Sequence, residues 1–199
     1  LDVSTAEAVG LKFVRTFLPN LKSITAIRRE FRKESSPYFM ATRGSEINAK
    51  RDDGRIAVFF QCQSLEPMAD NLDAMDTFYE LGLRICQVTH HNSNQYGGGC
   101  LVREWSGLTK IGFEAIEKMN SLGIIPDLSH ANELLCRDVL KTSNKPVIGS
   151  HNACRAIVNN ARCLPDSAIK GIADSGGVIG IFSMSFWLTN NPTPTVDDY

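Results

Sequence analysis

The chain has 199 residues, 43% of them apolar, and sets 21 basic against 22 acidic side chains for a net charge of −1. That length holds one large domain or two small ones around a real core, and so even a charge balance gives no electrostatic ground for nucleic acid or an anionic membrane surface as partner. No stretch approaches the apolar length of a membrane span, so no membrane segment is expected.

The N-terminus, LDVSTAEAVG, has neither a basic n-region nor an apolar h-region, so no secretion signal is expected there. It also lacks an initiator Met, which points to an upstream segment removed or left out. Residues 13–35 read as helix, interrupted or restarted at Pro19. A short extended piece, SPYFMATRG, and a short helix, SEINAKRDD, complete a helical elaboration over residues 1–53. Residues 54–199 then alternate. Continuously apolar, strand-like runs fall at 55–62, 83–89, 124–128, 146–149 and 177–183. Helical patterns lie between them. Leu72, Met75, Phe78 and Tyr79 share a stripe stopped by Gly82. Thr109 is placed to cap a helix lined by Ile111, Ala115, Met119 and Leu122 and ended by Gly123. Asn132 is placed to cap a third, with Leu135 and Val139 inward. Unbroken apolar strands joined by helices predict an α/β fold with a parallel sheet, either open or closed into a barrel.

The six cysteines, Cys62, Cys86, Cys100, Cys136, Cys154 and Cys163, form no CxxC pair and the chain can bury a core without cross-links, so reduced thiols and a cytoplasmic setting are expected.

The chain has four histidines. His90, His130 and His151 each follow Ser or Thr at the end of a strand-like run, and His91 adjoins the first. Gln63 ends another such run. Ligands of parallel α/β folds bind at the C-terminal ends of strands, and neutral imidazole is a common metal ligand and general base. One histidine at a strand end is ordinarily a polar residue bonded to a neighbour. Three at equivalent ends of one sheet predict a shared cavity, with Gln63 bordering it. Asp127, inside a strand, suits a buried acceptor for a ring N–H or a backbone group. Arg155 and Arg162, in the segment after His151, could each clamp a carboxylate, and composition does not choose between them. The stretch NQYGGGCLVREWSGLT does not run from strand straight into helix, so its glycines are no phosphate cradle; it reads as a long mobile loop over the strand ends, anchored by Trp105.

Several segments in order, FYELGLRICQVTHHNSNQ, WSGLTKIG, LGIIPDLSHAN, KPVIGSHNACRAIVNNARCLPD and SGGVIGI, resemble the renal (membrane) dipeptidase family of metal-dependent hydrolases within the amidohydrolase superfamily. The resemblance covers about residues 38–199. It implies a (β/α)8 TIM-type barrel, present here as about strands three to seven, with a two-zinc site at its C-terminal mouth. It implies that His130 and His151 bind one zinc and that His90 contacts substrate and steadies the tetrahedral intermediate. Arg162 would hold the substrate carboxylate and reach the cavity rim, which selects it over Arg155. The implied activity is hydrolysis of dipeptides by a zinc-activated water. Two departures stand out. Gln63 occupies the place of the family's zinc-bridging Glu, with Glu66 three residues on, and neither the family's His-x-Asp nor its last-strand Asp occurs in these residues. Two histidines and an amide are expected to hold zinc weakly. The departures keep open a degenerate barrel with a binding or assembly role, and a one-metal amidase acting on a non-peptide substrate. An open five-stranded piece would also expose two sheet edges, so a longer chain or a homodimer partner is expected to close it.

Overall fold

The computed structural model describes residues 21–50 and 54–198, the side chains of 48–50 excepted. It divides into two compact units that meet between Ile85 and Cys86. Among the described residues, no helix is long and apolar enough to cross a membrane.

In the first unit, residues 21–31 form helix α1. The part of the expected helix at 13–20, with Pro19, lies outside the described residues, as do 51–53 of the expected short helix. Strand β1 (Tyr38–Met40) and helix α2 (Gly44–Lys50) follow. The Glu46 carboxylate accepts from the amides of Thr42 and Arg43 at 2.6 and 3.1 Å, which satisfies donors at the start of α2 and holds the carboxyl below its usual range. The apolar run at 55–62 is not one strand. It breaks at Phe59 into β2 (Ile56–Val58) and β3 (Phe60–Cys62). β2 pairs in parallel with β1, Phe39 opposite Ala57, whereas β3 belongs to a different sheet, so the break is where the chain changes sheet. Helix α3 (Ala74–Glu80) buries Met75 and Phe78 as its stripe predicts. Gly82 ends it at φ 109°, and a Cβ there would lie 2.8 Å from the Met40 sulfur.

Strand β4 (Leu83–Gln87) begins in the first unit and ends in the second. The second unit continues with α4 (Lys110–Leu122), β5 (Ile125–Asp127), α5 (Glu133–Thr142), β6 (Gly149–Asn152), α6 (Asp166–Asp174), β7 (Ile179–Ile181) and a short α7 (Ser185–Leu188). Thr109 and Asn132 cap α4 and α5, accepting from Gly112 N at 3.2 Å and Leu135 N at 3.0 Å. Gly123 closes α4 in the left-handed region at φ 80°. Ala115, Ile116, Met119, Leu135, Cys136, Val139 and Ile172 from α4, α5 and α6 are buried and build the core. None of the six cysteines is joined in a disulfide; burial pushes the Cys136 thiol up to about 12.

The stretch expected to be a mobile flap is packed instead. Tyr96 is fully buried, Asn94 donates to Val88 O at 2.8 Å, and Asn132 Nδ2 donates to Gly99 O and Ser106 O. Its glycines serve close approach: a Cβ on Gly98 would run into the Ser106 carbonyl and lie 2.5 Å from Asn132 Nδ2.

β6 and β7 pair in parallel, and β5 meets the chain before β6 through one parallel bridge, Asp127 to Ile148. The expected strand at 146–149 therefore starts three residues later than its apolar run and carries His151 within it. The ladder from β5 stops at Ile148 for a local reason. The amides of Ser150 and His151, next in line, donate to the Asp127 carboxylate at 2.9 Å and to Ser129 Oγ at 3.1 Å. Side chains replace the backbone partners, and those side chains sit beside the histidines.

Candidate active site

The site is built at the ends of β4, β5 and β6, all within the second unit. After β4 the chain bends, so the rings of His90 and His91 lie 4.2 Å apart, tilted by 41°, rather than pointing to opposite faces as strand neighbours do. His130 lies at 4.0 Å from the His90 ring, 4.6 Å from His91 and 4.9 Å from His151. The sequence places the strand-end histidines together, and the structure brings all four side chains into one cluster.

His130 sits at φ 68°, as the third residue of a turn closed by Ala131 N donating to Leu128 O at 3.1 Å. A non-glycine residue there is strained by about 1–2 kcal/mol, and such strain gathers at functional sites. His151 is aimed by another irregularity. Between Gly149 and Asn152 the register of β6 against β7 shifts, a bulge that turns the side chains beside it. Gly180 makes room for it, since a Cβ there would strike the Ser150 carbonyl oxygen.

Beneath the rings lies Asp127, 2% exposed. Its Oδ1 accepts from Ser129 N at 2.9 Å, Ser129 Oγ at 2.8 Å and Ser150 N at 2.9 Å; its Oδ2 accepts from Gln87 Nε2 at 3.1 Å and from Ser150 Oγ. Because the Ser150 hydroxyl donates to the carboxylate, it accepts from His151 Nδ1 at 2.7 Å. His151 then carries its proton on Nδ1 and a lone pair on Nε2. That lone pair faces His130 Nε2 at 2.9 Å, so His130 donates from Nε2 and is left with a bare Nδ1, buried and without a hydrogen-bond partner. Burial first, then the Arg162 cation, pushes His130 down to about 2 and also lowers His151; burial likewise lowers His91. These rings are neutral at ordinary pH, the form that binds a metal.

Two Nε2 atoms 2.9 Å apart fit a shared ion, which would take the place of the proton between them, with His130 then carrying its proton on Nδ1. Ligands 2.0–2.1 Å from a tetrahedral zinc stand about 3.3 Å from each other. Behind His151, the Ser150–Asp127 relay supplies the outer hydrogen bond that metal-bound imidazoles usually have. The donor set thus suits a metal at this pair.

Arg162 is buried, 2% exposed. It donates to His151 O at 2.8 Å and Asn152 Oδ1 at 3.1 Å, with its guanidinium 5.1 and 5.5 Å from the rings of Phe182 and Trp187 and its Nε unpartnered. Arg155 is engaged elsewhere, with Glu133 at 2.9 Å, Cys163 O and the Trp105 ring. Gln63 lies in the first unit, exposed, directly after β3, and Glu66 opens the short 3-10 turn beyond it. Sequence reasoning gave no role to His91, Phe182 or Trp187. It had a signal for Ser129 and Ser150, which stand directly before His130 and His151.

Comparison with known proteins places this arrangement. An amidohydrolase from Pseudomonas aeruginosa of known structure is 29% identical with a TM-score of 0.85, covering 92% of this chain and 56% of that one. A metallopeptidase from Rhodobacter sphaeroides, solved with a phosphinate mimic of the dipeptide L-Ala-D-Ala, is 26% identical with a TM-score of 0.72, over 86% of this chain and 49% of that one. Among curated proteins, Dipeptidase verJ of Clonostachys rogersoniana is 29% identical over 163 residues, 81% of this chain and 42% of that protein. Mouse Dipeptidase 3 is 34% identical over 115 residues, 55% of this chain and 23% of that protein. The chain spans less than half the length of these curated relatives. The family model for membrane dipeptidase (Peptidase family M19) matches residues 6–199, and the chain belongs to that family.

Proposed function

We propose that these residues are the central part, about strands three to seven, of a (β/α)8 barrel, and carry the metal-binding end of a dipeptidase-type hydrolase. The observation that carries this reading is the His130–His151 Nε2 contact with the Ser150–Asp127 relay behind it, in a chain of the membrane dipeptidase family. The alternation of helices with parallel-paired strands and the likeness to the Pseudomonas amidohydrolase support the barrel.

His130 and His151 would hold zinc through Nε2. Zinc, when bound, acidifies a water and polarises the scissile carbonyl. The chain's own residues do the rest. Asp127, through Ser150, fixes the His151 tautomer that leaves Nε2 free. His90, stacked on His130, is placed to donate to the oxygen on which charge develops. Arg162 holds a substrate carboxylate, with its unpartnered Nε as the donor still to be used. Phe182 and Trp187 wall that side and exclude water. The substrate class is a small peptide with a free C-terminal carboxylate, and the metallopeptidase bound to an L-Ala-D-Ala mimic supports testing both configurations at the second residue.

The test is hydrolysis of a dipeptide panel, L-Ala-D-Ala included, by the whole protein loaded with zinc. Turnover is expected, and Arg162→Ala should raise KM for substrates with a free carboxylate far more than for their amides. Equal loss on both would remove Arg162 from substrate binding. Gln63 favours a second reading, a barrel that binds without hydrolysing, because a neutral amide lacks the charge to bridge two dications. A folded, zinc-loaded protein inert across the panel would establish that reading.

A further inference from the structure

Arg162 is a buried cation whose two hydrogen-bond partners are neutral, the His151 carbonyl and the Asn152 side-chain carbonyl. Taking a charge out of water is costly unless an opposite charge meets it, so this guanidinium is open to an incoming anion.

Asn152 is what keeps it both charged and still. This side chain is 1% exposed. Ser129 Oγ spends its proton on Asp127, so toward Asn152 Nδ2 it accepts, at 2.9 Å. The amide is oriented by that bond, and its Oδ1 turns to Arg162 Nη1 at 3.1 Å. The Asn152 backbone carbonyl accepts from Phe182 N at 3.2 Å, which brings in the ring that lies 5.1 Å from the guanidinium. Gly149 leaves room for the side chain, since a Cβ there would lie 2.6 Å from Asn152 Nδ2. With both terminal nitrogens tethered, Arg162 presents its unpartnered Nε.

We propose that Asn152 is a positioning residue for carboxylate recognition: its carbonyl holds Arg162 in place without neutralising it, and its amide ties the clamp through Ser129 to Asp127, the carboxylate that also serves the metal pair. An aspartate of the same shape would fail on both counts, cancelling the cation and offering Ser129 no donor. The assignment rests on the role proposed above for Arg162 and deepens it, because the preference for a free C-terminal carboxylate over its amide is then set at position 152.

The experiment compares the whole zinc-loaded protein with Asn152→Asp and Asn152→Ala on L-Ala-D-Ala and on its C-terminal amide. In each variant KM for the acid is expected to rise at least about tenfold more than KM for the amide, the loss of one hydrogen bond to a charged group. The fall in kcat should be smaller than the rise in KM. Values of KM that rise together, or that do not move, overturn the assignment. A second measurement needs no turnover: guanidinium ¹⁵N resonances of the full chain, with Arg162 recognised by its contacts to Phe182 and Trp187. Separate Nη1 and Nη2 signals, from a guanidinium that does not rotate, are expected in the wild type, and one averaged signal there overturns the assignment even if no variant folds. L-Ala-D-Ala is expected to move the Arg162 Nε signal of the wild type and not that of Asn152→Asp; an equal shift in both, or none in either, overturns it. Absence of turnover on both substrates removes the hydrolytic reading and leaves these spectra to decide on Asn152.

Discussion

With asparagine in place of Asp127, the amides of Ser129 and Ser150 and the side chain of Gln87 would share a neutral group that itself carries two N–H donors. The Ser150 hydroxyl would lose its carboxylate acceptor and could turn its proton toward His151 Nδ1. His151 would then carry its proton on Nε2, the wrong atom for a metal. Asp127→Asn is accordingly expected to weaken metal binding about 10–100-fold, the range for outer-shell partners. Calorimetric titration reads the affinity, and the ¹⁵N shifts of His151 read the tautomer. An unchanged tautomer would show that the relay does not act through Ser150. His130 makes a second case. Its φ of 68° favours Asn or Gly over His. His130→Asn should fold with a melting temperature at or above that of the wild type while losing metal binding. A clear drop in melting temperature would mean that the imidazole stabilises the turn. At this scale the sequence is explicit about which residue types converge, because Ser-His at two strand ends is visible as text. It is silent about φ at His130 and about tautomers, which arise only when the strands meet.

Helix ends were the most readable elements. Thr109, Asn132 and Gly123 announce caps through side-chain and backbone chemistry confined to one turn, and each takes that role. The strands were less so, because their limits depend on partners distant in sequence. Phe59 divides an apolar run only because the flanking strands belong to different sheets, and the ladder from β5 stops at Ile148 because Asp127 and Ser129 take the amides of Ser150 and His151 that it would use. Asn132 joins both kinds of information. Besides capping α5, its Nδ2 holds Gly99 O and Ser106 O, tying the glycine-rich segment to the helix start. Losing the cap costs about 1 kcal/mol, and the two further hydrogen bonds about 1 kcal/mol each. Asn132→Ala should therefore destabilise by roughly 2–3 kcal/mol in urea unfolding. A loss near 1 kcal/mol would mean the segment packs without that tie.

Over the whole molecule, the resemblance carried more than the residue pattern did. Alternating apolar runs predict parallel α/β structure but leave open an open sheet or a barrel, and the described strands fall into three sheets with a single bridge between β5 and the chain before β6. What gathers at the ends of β4, β5 and β6 is a set of ionisable groups. The second unit gathers four imidazoles and the buried Arg162 around one buried carboxylate, Asp127, and the consequence is a pH dependence. In the folded chain His130 stays neutral down to about pH 2, and His91 and His151 also titrate below their ordinary value of 6.5. In the unfolded chain all of them take up protons as pH falls through about 6.5. The unfolded state then binds more protons than the folded one, so stability is full above about 6.5 and falls as the solution is acidified, by up to about 1.4 kcal/mol per pH unit for His130. Most carboxylates titrate lower, so the interval from pH 6.5 to 5 isolates the histidines. Urea midpoints of the metal-free chain should decrease steadily across that interval, and His130→Asn should remove part of the slope. A metal ion on the cluster binds only the folded, neutral form and should raise the midpoint most near neutrality, with the gain shrinking as protons compete below pH 6. Midpoints that hold level from pH 7 to 5 in the metal-free chain would mean that these rings are open to solvent and protonate in place.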